Sequence, residues 1–157
     1  MTVTGTAFTL LIDADACPVK DECYRVAERH SLQVRVVANA VLRVPQNEHV
    51  KLVVVSDVFD AADDWIAEQA GAASIVITSD ILLADRALKA GARVLAPNGK
   101  AFTTASIGAQ IATRAIMQDL RDTVVGGTMG GPPPFSKADR SNFIQALDRE
   151  VVALKKG

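Results

Sequence analysis

The chain has little of what marks several large classes of protein. Aromatic residues make up only 4% of its 157 residues, too few for a surface that stacks unpaired bases one after another. Its two cysteines, Cys17 and Cys23, suit a reducing cytoplasm better than a disulfide framework. The two histidines, His30 and His49, stand apart with no ligand spacing, which counts against zinc. No apolar run approaches the roughly 20 residues of a membrane helix. The stretch from Met1 to Phe8 lacks the basic segment and apolar core of a secretory signal. A strong charge of one sign is also missing, since the formal net charge is −1.

The remaining composition is that of an ordinary globular protein, with 49% hydrophobic and 22% charged residues. Its length suits one domain over residues 1–157. Charge is unevenly spread. Residues 1–98 hold 9 Lys/Arg and 13 Asp/Glu, whereas residues 99–157 hold 8 and 5. An acidic body with a basic tail fits a phosphate-bearing substrate, and chance scatter of surface charge explains it equally well.

Strand and helix patterns alternate along the chain. Short apolar runs at Phe8 to Ile12, Gln33 to Ala38, Leu52 to Val55, Ser74 to Thr78 and Arg93 to Ala96 predict about five strands. Pro18 suits the first position of a helix running to about His30. Helices are also predicted over Ala61 to Ala70 and Ile81 to Ala90, each followed by glycine, and over Ser106 to Leu120. Asn98-Gly99 reads as a turn. Gly126 to Pro134 is too rich in glycine and proline for regular structure and reads as a mobile flap or a spacer. Ser136 and Asp139 have capping-box spacing. The helix they open, at about 137–154, carries an apolar stripe of Phe143, Ile144, Leu147, Val151 and Leu154, and so should dock. The expected architecture is α/β, a three-layer α/β/α arrangement around a mainly parallel sheet. Such sheets bind ligands beyond the C-terminal ends of their strands.

Those ends are acidic. The first strand runs into Asp13 and Asp15. The third ends in Ser56-Asp57, and the next helix opens with Asp60, Asp63 and Asp64. The fourth ends in Ser79-Asp80, and the second in Asn39. Two carboxylates about 5 Å apart repel by roughly 3 kcal/mol at an effective dielectric near 20. A hard cation with oxygen ligands removes the conflict, and Mg²⁺ or Mn²⁺ fits best. Duller roles remain open. Asp80 could serve only as a helix N-cap, and Asp60, Asp63 and Asp64 could serve only the helix dipole. Asp13 and Asp15 resist that treatment, because they directly follow a buried strand. Lys20, in the first turn of a helix, is either exposed or turned toward these acids or a substrate phosphate. Cys17 has no neighbouring histidine, so packing or capping suits it better than nucleophilic catalysis.

The run Ile12-Asp13-Ala14-Asp15-Ala16-Cys17-Pro18-Val19-Lys20 resembles the signature of the YaiI/YqxD family of bacterial proteins. So do Val37-Ala38-Asn39, Phe59-Asp60-Ala61-Ala62-Asp63, Thr78-Ser79-Asp80-Ile81-Leu82-Leu83-Ala84, and Phe135-Ser136 with Asp139-Arg140. That family is similar in turn to PIN-like nuclease domains. The resemblance implies a PIN-like fold with Asp13, Asp63 and Asp80 around Mg²⁺ or Mn²⁺ and Asp15 beside them. The function expected is a metal-dependent phosphodiesterase, an endoribonuclease acting through metal-activated water. Lys20, Asn39, Ser79, Lys100 and Arg140 are its candidate substrate contacts. One alternative is a haloacid-dehalogenase-like phosphotransferase, which also begins with a strand and Asp-x-Asp. Another is a non-catalytic module that binds RNA or protein.

Overall fold

The structure, a computed structural model, describes residues 8–56, 58, 60–123 and 135–156. The segment Gly126 to Pro134, expected to be mobile, lies outside the described residues, as do Asp57 and Phe59. The chain forms β1 (Thr9–Asp13), a short 3-10 turn (Ala14–Ala16), α1 (Lys20–His30), β2 (Gln33–Ala38) and β3 (Val50–Val54). It continues through α2 (Ala61–Gln69), β4 (Ser74–Ile77), α3 (Ile81–Lys89), β5 (Arg93–Leu95) and β6 (Ala101–Phe102). Two long helices, α4 (Thr104–Thr123) and α5 (Lys137–Lys156), complete it.

The strands form one sheet in the order β3-β2-β1-β4-β5-β6. Every pairing is parallel except that of β5 with β6. The central strands are apolar on both faces, as parallel strands covered by helices must be. Alternation along β1 divides the core in two. Leu10 and Ile12 point to one face, where α1 and α5 add Cys23, Val26, Phe143, Leu147 and Val151. Leu11 points to the other, where α2, α3 and α4 add Ile66, Leu83, Ala87 and Ile107. The architecture is therefore the three-layer α/β/α arrangement expected.

Several details depart from the sequence reading. The sheet has six strands rather than about five, because the turn at Asn98-Gly99 leads into the two-residue β6. At Gly99 φ is +92° and an added Cβ would lie 2.9 Å from the backbone of Asn142 in α5, so only glycine fits there. The first helix begins at Lys20 rather than Pro18, since the 3-10 turn and Cys17 occupy the preceding residues. Helix α2 closes on an extended Ala70 instead of a left-handed glycine, and the Ser74 hydroxyl bonds both the N–H and the carbonyl of Gly71. The capping box opens α5 as expected. The Ser136 N–H donates to Asp139 Oδ2 at 3.0 Å, and the Asp139 N–H donates to Ser136 Oγ at 3.1 Å. Among the described residues, no helix is long and apolar enough to cross a membrane.

Candidate functional site

Strand order reverses between β1 and β4. After β1 the chain turns to the α1 face, and after β4 it turns to the α3 face. The two departing segments diverge and leave a crevice at the C-terminal edge of the sheet. A cleft of about 870 Å³ lies there, within the size range of small-ligand sites. Its walls bring together Asp13, Asp15, Asn39, Asp63, Ser79 and Asp80. Ser56, Val58, Asp60 and Arg86 also line it.

Asp13 ends β1 and is only 6% exposed. Ile12 is in register with Ile77 on β4, which brings the next residue, Thr78, beside Asp13. The Thr78 hydroxyl donates to Asp13 Oδ2 at 2.8 Å and accepts the Asp80 N–H at 3.0 Å. Burial raises the Asp13 carboxyl above its ordinary range. The Thr78 bond opposes this, and the charges of Asp15 and Asp80 add to the rise.

Asp63, in the first turn of α2, is pushed up to about 6. Burial is the main cause, followed by the charges of Asp80, Asp13 and Asp60 and a hydrogen bond with Asp60. Asp60 itself has φ of 67°, an uncommon left-handed backbone that aspartate tolerates better than most residues. Asp80 Oδ1 accepts the N–H groups of Leu82 at 2.9 Å and Leu83 at 3.2 Å, a complete N-cap on α3. Its capping role is therefore real, and its charge still reaches Asp13 and Asp63. Among the described residues, no three His, Cys, Asp or Glu side chains stand as a ready-made metal shell.

The expected cationic contacts lie elsewhere. Lys20 Nζ donates to the Cys17 carbonyl at 2.8 Å and so closes the turn before α1. Lys100 sits in the β5–β6 turn, where its N–H donates to Asn98 Oδ1 at 3.0 Å. Arg140 fastens α5 to α1 by donating to the Pro18 carbonyl at 3.0 Å and to Glu22 Oε2 at 3.2 Å. It also lies over the Phe135 ring, 5.0 Å from the centroid. None of the three lines the cleft. Among the described residues, the cation that does is Arg86, whose Nη1 donates to Asp64 Oδ1 at 2.8 Å. Its partner is 22 residues away in sequence, and no local pattern announces the pair. Thr78 was likewise indistinguishable in sequence from any strand-end threonine.

Fold and cleft together define a class: a doubly wound α/β protein with an acidic crevice at its switch point. Residues 11–153 match the model described as "Uncharacterized BCR, YaiI/YqxD family", and the chain belongs to that family. A UPF0178 protein of Sphingopyxis alaskensis is 67% identical over 152 residues, covering 97% of this chain and 98% of the relative. Another, from Azorhizobium caulinodans, is 53% identical over 156 residues, covering 99% and 97%. A third, from Rhodospirillum centenum, is 55% identical over 150 residues, covering 94% and 97%.

Proposed function

We propose that this cleft binds a divalent cation, Mg²⁺ or Mn²⁺, and that the protein is a metal-dependent phosphodiesterase acting on RNA or another phosphate-bearing nucleic acid. The observation that carries the reading is the meeting of Asp13, Asp15, Asp63 and Asp80 in one crevice at the switch point. The raised carboxyls of Asp13 and Asp63 support it: burial is the main cause and the neighbouring carboxylates add to it, and a bound cation would relieve both. The resemblance to PIN-like nuclease domains points the same way. The donor set is all oxygen, which suits a hard cation, although the carboxylates must draw inward to form a shell.

Asp13, Asp63 and Asp80 would hold the cation. When bound, it would polarise a scissile phosphate and lower the pKa of an attacking water. Asp13 is the fixed member, since the Thr78 hydroxyl holds it at the end of a strand paired on both sides. Asp80 is oriented by its own helix start. Asp15 is exposed and free to orient water. Asn39 and Ser79 line the same walls and offer neutral hydrogen bonds to a substrate.

A haloacid-dehalogenase-like phosphotransferase would need Asp13 as an open nucleophile, but Asp13 is 6% exposed and engaged by Thr78. The test is cleavage of labelled single-stranded RNA by the full chain with Mn²⁺, with EDTA, and with Asp63→Asn. Cleavage in Mn²⁺ alone, lost in the variant, is expected. Tight RNA binding with no cleavage in any metal would replace the enzyme by a binding module. A covalent aspartyl-phosphate trapped at Asp13 would install the phosphotransferase.

A further inference from the structure

We infer that Arg86 is the phosphate-contacting residue of this cleft and that Asp64 positions it; the inference rests on the phosphodiesterase reading above. The five aspartates that line the crevice among the described residues repel an anionic substrate as well as attract a cation. A phosphodiester therefore needs a positive group of the protein at the same place. Among the described residues lining the cleft, Arg86 carries the sole positive charge.

Its position on α3 suits the task. The helix starts at Asp80, inside the cleft, and Arg86 lies in its last turn. Side chains on a helix tilt toward its N-terminus, so the long Arg86 side chain leans back toward the cleft. Leu83, Ala84 and Ala87 take the core-facing side of α3, which leaves Arg86 on the side that meets α2.

The pairing with Asp64 aims the guanidinium without consuming it. The hydrogen bond to Asp64 runs through Nη1. A guanidinium has five N–H donors, and its fork matches two oxygens of a phosphate. The side chains are 46% and 57% exposed. Exposed pairs of this kind add little to stability, so a phosphate can recruit Arg86 at little cost. A plain surface bridge joining α2 to α3 predicts instead that only stability depends on it.

The test measures three properties of the full chain: Mn²⁺ binding by calorimetry, melting temperature, and binding of a labelled single-stranded oligoribonucleotide in Mn²⁺ at several salt concentrations. Arg86→Gln should not weaken Mn²⁺ binding and should leave melting nearly unchanged. It should weaken oligonucleotide binding about tenfold and lower the salt slope by about one. Arg86→Lys should recover the salt slope and only part of the affinity, because lysine supplies the charge without the fork. Asp64→Asn should weaken oligonucleotide binding by less than Arg86→Gln. If Mn²⁺ binds but the oligonucleotide affinity and salt slope of Arg86→Gln match the wild type, Arg86 has no such role. If the wild type binds Mn²⁺ and no oligonucleotide, the phosphate contact falls and the metal site stands. If the wild type binds no Mn²⁺, the reading of the cleft falls and the inference falls with it.

Discussion

Thr78 and Asp13 form a buried side-chain bond at the cleft, 2.8 Å between a fully buried hydroxyl and a carboxylate oxygen. Parallel register places them side by side on β4 and β1. The same hydroxyl accepts the N–H of Asp80, so one oxygen links two of the acids. Thr78→Val preserves shape and deletes both bonds. It should destabilise the protein at pH 7 by about 2 kcal/mol, the range for a hydrogen bond to a charged group. The Thr78 hydroxyl favours the ionised Asp13, so the loss should shrink as the pH falls and Asp13 takes up a proton. Urea melts from pH 7 downward through the acid range check this, and a loss that stays constant throughout would show that Asp13 does not titrate with the bond.

Asp63 gives the metal-free protein a pH dependence of defined sign. Its carboxyl lies at about 6 in the folded chain, against 3.8 ordinarily. Between those values the folded state holds a proton that the unfolded state has released. Stability therefore falls as the pH rises through this window, and the contribution is lost above about 6. Asp63→Asn removes the titration. Thermal melts of wild type and variant from pH 4 to pH 8, in chelator, should converge at the acid end. Above about pH 6 the variant should be the more stable. Parallel curves would mean that Asp63 ionises normally.

The start of α5 can be tested apart from the cleft. Ser136 and Asp139 exchange backbone hydrogen bonds as a capping box. Ser136→Ala should cost about 1 kcal/mol. Ser136 does not line the cleft, so Mn²⁺ titrations of this variant should match those of the wild type. Unchanged denaturation midpoints would show that the cap adds nothing.

The sequence exposed those features whose cause is local. Valine-rich runs marked the buried strands. Glycine at 91, left-handed with φ of +95°, marked the end of α3, and Ser136 with Asp139 marked the start of α5. Asp13 stood out because acids seldom follow a doubly buried strand without a reason. Features set by distant contacts stayed hidden. β6 has two residues and hence no period to read. Arg140 looked like a phosphate contact, yet its charge meets Glu22, 118 residues away. Arg86 looked like an ordinary helix cation, and only the packing of α3 against α2 brings it to the cleft. The aspartates could be assigned to strand ends, but their common destination required the order in which the strands are laid down.

The charge of the cleft gives the most direct test. Asp13 feels Asp15 and Asp80, and Asp63 feels Asp80, Asp13 and Asp60. Changing Asp13 or Asp80 to asparagine removes one negative charge and keeps the shape. An asparagine oxygen at position 13 can still accept the Thr78 hydroxyl, and asparagine at position 80 caps a helix nearly as well as aspartate. The metal-free variants should therefore melt at the wild-type temperature or above it, because repulsion falls. Mn²⁺ affinity should drop by at least about tenfold, since losing an outer partner of a metal ligand already costs that much. A purely structural pair of acids predicts the opposite combination, with Mn²⁺ response unaltered and melting unchanged or lower. Calorimetric titration with Mn²⁺, run beside melting curves in chelator, separates the two. Equal Mn²⁺ affinity in wild type, Asp13→Asn and Asp80→Asn would end the case for a metal at this cleft.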